Sequence, residues 1–446
     1  MSAAASDSPS LERGGQVANA RGAQIAPSEI AIGVIIGRTS EFFDFFVYAI
    51  ASVLVFPAYI FPFADPLTGT LYSFALFALA FVARPFGTLI FMWVDRHHGR
   101  GTKLTIALFL LGVSTVSVAF LPSYANAGIA TIILLGLLRI GQGVALGGAW
   151  DGLASLLALN APENKRGWYA MVPQLGAPLG LIVASALFAY FAMNLSAADF
   201  LSWGWRYPFF CAFAINVVAL FARLRIVSTP DFERLFESRE LQPSRVRDTV
   251  ARQGRTIVIG AFAPLASFAM FHMVTVFPLS WVFLFTGESP ARFLVIESVA
   301  AAFGVVAIVA SGYLADRFGR RNLLGASAAA IAVFSGFAPQ LLDMGDVGEI
   351  TYMIVGFVLL GLSFGQSSGV VASHFATPFR YTGSALTSDI AWLFGAGFAP
   401  FWALVLAAYF GILAAGLYLL SGAIATLAVL WISKTLAVDN FQKSQD

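Results

Sequence analysis

The chain has 446 residues, 59% of them hydrophobic and only 11% charged, with a mean hydropathy of +0.80 and a formal net charge of +2. A soluble globular domain carries roughly 25% charged residues. One core cannot hide this much apolar surface, so lipid must be the solvent for much of the chain. The single cysteine, Cys211, excludes an intrachain disulfide and a thiolate metal site, and four scattered His form no ligand pattern, so neither metal nor cofactor is expected. The small net charge says little about partners, and nothing points to nucleic acid.

Residues 1–28 are small and polar, with Arg13 and Arg21. They lack the basic start and short apolar core of a signal peptide and read as a cytoplasmic tail. Six runs follow, at 29–60, 68–94, 104–122, 128–159, 168–192 and 206–224. Each reaches the length of about 20 apolar residues that a membrane helix needs. Residues 225–255 hold eleven charges from Asp231 to Arg255 and read as a solvated linker, partly helical. Six more runs lie at 256–285, 291–315, 323–341, 350–373, 383–408 and 410–433, before a tail at 434–446. The expected fold is an all-α integral membrane protein of about twelve helices in two six-helix halves, 29–224 and 256–433.

Alternate connections are basic. Arg96, Arg100 and Lys103, then Lys165 and Arg166, the linker, Arg317, Arg320 and Arg321, and Arg380 fall on one side with both tails. The opposite connections hold only Arg206 and Arg292. Basic loops stay in the cytoplasm, so both termini are expected inside. The halves also repeat. Asp95-Arg96-His97-His98-Gly99-Arg100 follows the second helix, and Gly312-Tyr-Leu-Ala-Asp316-Arg317-Phe-Gly319-Arg320-Arg321 follows the eighth, with the two Asp 221 positions apart. Duplicated halves place a substrate path between them.

The Gly312–Arg321 stretch resembles the loop signature of the major facilitator superfamily, and Arg139-Ile-Gly-Gln142-Gly143 resembles its second signature. Glu41-Phe-Phe-Asp44-Phe-Phe-Val-Tyr48, Trp203-Gly-Trp205-Arg206-Tyr-Pro208 and Arg380-Tyr381-Thr382-Gly383 resemble the metabolite:proton symporter family, as do Pro173–Gly180 and Ala83–Gly87. The resemblance covers nearly all of the chain between its tails. It implies the major facilitator fold and a monomer in the bacterial inner membrane. It also makes Asp95, Arg96, Arg100, Gly312, Asp316, Arg317, Gly319, Arg320 and Arg321 a latch that closes the cytoplasmic side. Three departures stand out. Phe91 replaces the expected Gly four residues before Asp95, which predicts looser packing in that half of the gate. Asp151 appears two residues after Ala149, where the family has its acid, and Asp389 stands where Asn is common.

A charge in mid-membrane costs roughly 2.5–3.5 kcal/mol on insertion scales, so each one is a candidate for function. Arg38, Glu41, Asp44, Arg84, Arg139, Asp151, Glu297 and Asp389 qualify, with Gln142 beside Arg139. Glu41 and Asp44 lie three apart on one helix face, expected to look into the cavity. A carboxylate there can carry a proton or simply pair with an Arg. Arg139 can bind a carboxylate or anchor a helix. Arg84 can face the cavity or snorkel, and Glu297 is placed near the outer surface. Gly143, Gly147, Gly148, Gly176, Pro178 and Gly180 predict close packing of the fourth and fifth helices. No catalytic constellation or phosphate loop is present, which argues against an enzyme.

The leading expectation is proton-coupled uptake of a small polar metabolite. Three intramembrane Arg favour an organic anion such as a carboxylate. Proton-coupled export of organic acids or drugs keeps the same fold, as does uptake of a zwitterionic osmolyte. No long C-terminal heptad segment supports osmosensing.

Overall fold

The computed structural model describes residues 27–149, 157, 161–227, 242–367 and 375–432. Every regular element among them is helical. The principal helices are α1 (Pro27–Leu54, continued by Phe56–Ile60), α2 (66–98), α3 (100–118), α4 (Ile129–Gly148), α5 (Arg166–Asn194) and α6 (Tyr207–Val227). The second set is α7 (Leu265–Thr286), α8 (Pro290–Phe318), α9 (Arg320–Ser335), α10 (Gly345–Phe364), α11 (Arg380–Phe410) and α12 (Ala415–Ile432). Nine stretches among the described residues are long and apolar enough to cross a membrane. One of them, Pro66–Val118, holds both α2 and α3, because the chain breaks at Gly99. The polar run of Glu29, Arg38, Glu41 and Asp44 keeps α1 outside that set, and α9 has only 16 residues.

Local chemistry places the breaks. The Asp65 side chain accepts from the Thr68 N–H and caps α2, whose first residue is Pro66. At the related turns α2–α3 and α8–α9, Gly99 has φ 81° and Gly319 φ 84°, a region that glycine enters without steric cost. The helix before α7 starts at Val246, ten residues ahead of the expected 256, and carries Arg247, Asp248, Arg252 and Arg255. Its start is tied to α11, because the Ser244 N–H donates to Thr382. The chain then breaks at Pro264 before α7 begins.

Small residues set the packing inside the first half. A Cβ on Gly143 would lie 2.3 Å from the Ala80 carbonyl, one on Gly87 2.2 Å from the Val144 carbonyl, and one on Gly147 2.4 Å from the Arg84 carbonyl. The backbones of α2 and α4 therefore touch, through a small-xxx-small pair at 143 and 147. Gly176 and Gly180 let α5 reach the backbone of α1 at Arg38, Thr39 and Phe43 in the same way. The two halves meet along two antiparallel seams, α5 on α8 and α2 on α11. Phe86, Phe109, Phe221, Val306, Tyr409 and Trp431 project outward, as lipid requires.

Gly143→Val would overpack the α2–α4 contact. Overpacking costs roughly 1–3 kcal/mol, so purified protein should show a lower unfolding temperature, whereas Gly254→Val, where nothing lies within 4 Å, should not.

Candidate functional site

A narrow cavity lies between the halves. Arg38, Glu41, Phe42 and Phe45 of α1, Ala80, Phe81 and Arg84 of α2, Leu146 of α4 and Trp392 of α11 line it, around about 480 Å³ of empty space counted to its open edge. Its charges are paired. Glu41 Oε2 accepts from Arg38 at 2.6 Å and Oε1 from Arg223 of α6. The Arg223 guanidinium lies where a side chain on residue 37 would be, so Gly37 makes room for it. Across the α2–α11 seam, Arg84 Nε meets Asp389 at 2.9 Å, Arg84 Nη2 donates to Ser388 at 3.3 Å, and the Thr88 hydroxyl donates to Asp389 at 2.6 Å. These contacts join the two halves directly.

An aromatic layer closes one side of the cavity. Phe46 stacks on Phe271 of α7 with ring centroids 5.7 Å apart, and Phe42 packs on Trp392 and Phe271 at 6.0 and 5.7 Å. Trp392 is held at the start of a π-turn, Leu393–Gly397, where the α11 ladder is widened. His272 is fully buried and stacks on Phe45 at 5.2 Å.

A second polar chain runs through the first half, away from the cavity. Arg139 Nε donates to the Phe77 carbonyl at 3.1 Å and its Nη1 to Gln142 at 3.0 Å. Gln142 donates to the Thr115 hydroxyl at 3.0 Å, Thr115 to Asp44 at 3.5 Å, and Asn216 of α6 to Asp44. Asn216 Oδ1 accepts from Ser40 at 2.9 Å. The Arg139 guanidinium also lies over the Tyr48 and Phe77 rings at 4.1 and 4.6 Å, where a cation is attracted to the ring face. No ion pair to Asp44 or Arg139 occurs among the described residues.

The end of the bundle that carries the basic loops is sealed at both seams. Asp316 accepts from the backbone N–H groups of Gly167 and Trp168, at 2.6 and 3.0 Å, where α5 begins. Arg320 donates to Gln366 and to the Arg166 carbonyl, and Gln366 donates to the Gly167 carbonyl. At the other seam Asp95 pairs with Arg100 at 2.9 Å and Lys103 at 3.7 Å. Lys103 donates to the Tyr381 hydroxyl at 2.6 Å, and the Arg100 guanidinium lies 4.5 Å over the Tyr381 ring.

The structure corrects several expectations. Glu41 and Asp44 do not share the cavity: Glu41 reaches its edge, while Asp44 turns to α3 and α6. Asp95, Arg100 and Lys103 are all buried, so Phe91 does not loosen this half of the gate; it packs into the space left by Gly148. Arg96 and Arg317 are exposed and bridge neither seam among the described residues. Arg321 donates to the Leu430 carbonyl of α12, inside its own half. Gly312 and Gly319 take different parts, Gly312 packing on Trp168 and Met171 and Gly319 making the turn. Glu297, seven residues into α8, is fully buried rather than solvated. Asp151 lies outside the described residues. Sequence reasoning missed Arg223, Asn216, Lys103, Tyr381 and His272. Asn216 and Arg223 are seven apart, two turns along one face of α6, which is a readable polar stripe.

Comparison with known proteins fits this geometry. The model of the Major Facilitator Superfamily matches residues 39–400. The chain is 36% identical over 414 residues to the "Inner membrane metabolite transport protein YhjE" of Escherichia coli K12, covering 91% of this chain and 94% of that one. It is 30% identical over 391 residues to the shikimate transporter of the same organism, covering 85% and 88%. Among solved structures, the D-xylose-proton symporter superposes with a TM-score of 0.68 at 18% identity, covering 91% of this chain and 97% of that one.

Removing one partner of a buried ion pair costs roughly 3–5 kcal/mol, and removing both costs far less. Arg84→Ala should therefore destabilise the purified protein by leaving Asp389 unpaired, and adding Asp389→Asn should restore much of its unfolding temperature. A double variant no more stable than Arg84→Ala alone would show that the two side chains are not coupled.

Proposed function

Because the chain belongs to the major facilitator superfamily, among its metabolite transporters, we propose that it takes up a small polar organic anion, such as a carboxylate, together with protons. The proposed motion is alternating access, with 29–224 and 256–433 rocking as two halves joined by the linker 225–255. The basic end is assigned to the cytoplasm, together with the tails 1–28 and 434–446, by the distribution of Lys and Arg. The protein works as a monomer in the bacterial inner membrane.

The observation that carries this reading is that two guanidiniums, those of Arg38 and Arg84, line the cavity between the halves. An organic anion entering there meets both. Arg38 and Arg84 present flat donor forks suited to a carboxylate. Trp392, Phe42 and Phe45 supply apolar walls. The relative named for shikimate, itself a carboxylate, supports the same class of substrate.

Asp44 is the proposed proton carrier. One of its oxygens is buried without a partner, and it reaches Arg139 only through Thr115 and Gln142. Loading a proton on Asp44 removes the negative charge at one end of that chain and leaves Arg139 to hold the other.

The test is a screen in proteoliposomes with a pH dye trapped inside and candidate organic acids, amino acids, betaines and sugars added outside. Lumen acidification on adding one carboxylate, lost in Asp44→Asn, is expected. Outward proton movement on substrate entry would mean antiport. Accumulation of a labelled substrate with no proton movement would remove protons from the mechanism.

A further inference from the structure

One helix carries two acids that hold the same neighbour. Asp316 of α8 accepts from the backbone where α5 begins, and Glu297, 19 residues earlier on α8, accepts from the Ser185 hydroxyl of α5 at 2.9 Å. At a rise of about 1.5 Å per residue the two contacts lie about 28 Å apart, close to the thickness of the hydrocarbon layer. Between them, Gly312 packs directly on Trp168 and Met171. The α5–α8 seam, one of the two that join the halves, is thus pinned by a carboxyl group near each end.

The two pins differ in kind. Asp316 is exposed and meets two N–H donors at a helix start. Glu297 is fully buried, its Oε2 has one hydroxyl donor, and its Oε1 has none. The charged groups on the packed elements are engaged elsewhere. Arg292, earlier on α8, pairs with Glu288 and with Asp346 and Glu349 of α10, and His272 of α7 lies among the rings of α1 and α2. The α5 stretch from Gly176 to Asn194 contains no Asp, Glu, Lys, Arg or His. An anion closed into that place would lose its water and gain no counter-ion.

We infer that Glu297 is a second proton-binding site, and that it must be protonated for the outer end of the α5–α8 seam to close. Opening that end lets water reach the carboxyl group, which then ionises. Closing it expels the water and requires the proton. Asp44 cannot serve this purpose, because its hydrogen-bond partners all lie in its own half and do not separate when the halves rock. The inference rests on the rocking motion proposed above, but not on the substrate or the direction of transport.

The test uses a single cysteine in place of Ala189, one turn beyond Ser185 and buried, in a Cys211→Ser background, with a membrane-impermeant thiol reagent outside. Below the midpoint, labelling should rise about tenfold per unit of external pH, the slope of one titrating group. Glu297→Gln should give low labelling at every pH, and Glu297→Asp, which keeps a carboxyl group, should restore a slope. A Glu297→Gln profile that follows pH as the wild type does overturns the proposal. So does a flat wild-type profile, which decides the matter even if the variants fail to reach the membrane. Asp316→Asn separates the two levels of argument by loosening the inner latch, which should lower labelling outside. If it does so while pH has no effect, only the assignment of Glu297 fails. If neither changes labelling, the rocking motion fails with it.

Discussion

A charge inside hydrocarbon must find its counter-ion or strong hydrogen bonds within the protein, because lipid supplies neither. That requirement organises this bundle. Glu41 is gripped between Arg38 and Arg223, so α1 and α6 are held face to face. Arg84 and Asp389 satisfy each other only while α2 of one half stands beside α11 of the other. Arg139, with no ion pair among the described residues, leans on the Phe77 carbonyl, on Gln142 and on the faces of Tyr48 and Phe77. Helices of low sequence polarity are thereby fixed in rotation by a handful of ionic contacts.

Contacts within a half and contacts across a seam have different consequences for motion. The Glu41–Arg223 pair, the Asp44–Asn216 bond and the backbone contacts at Gly143 and Gly147 all lie inside the first half and make it rigid. The Arg84–Asp389 pair, the Asp316 latch with the Gln366 and Arg320 bonds beside it, the Lys103–Tyr381 bond and the Ser185–Glu297 bond cross between halves. The rest of the central interface is aromatic, with Phe42, Phe46, Phe271 and Trp392 in mutual contact. Ring contacts change partners at small cost, whereas each seam bond is either made or broken. A structure of this kind has a short list of discrete contacts through which protons and substrate can bias two states.

The bundle was largely legible in the sequence because hydropathy and basic loops depend on composition alone. The twelve helices follow from apolar runs, and the α2–α3 and α8–α9 turns from the repeat that contains Asp95 and Asp316. What the sequence hid was which way side chains turn. The spacing of Glu41 and Asp44 gives a common face, yet that face is wide enough for one acid to reach the cavity and the other α3 and α6. Arg223 lies at the end of the sixth apolar run, and only the fold brings it over Gly37 to Glu41. Glu297 lies near the start of α8 as expected, but it turns inward to Ser185 of α5 and away from solvent, which spacing along one helix does not reveal. Arg321 sits in the loop signature but bonds to α12, a contact no local pattern encodes.

The most direct test of the central claim, that Arg38 and Arg84 in the cavity receive an organic anion, is thermal stabilisation of the purified protein by a panel of monocarboxylates, betaines and neutral sugars. The account predicts that a monocarboxylate raises the unfolding temperature, that Asp389→Asn keeps this response, and that Arg84→Gln loses it. Stabilisation by a neutral sugar alone, or a carboxylate response unchanged in Arg84→Gln, would contradict it.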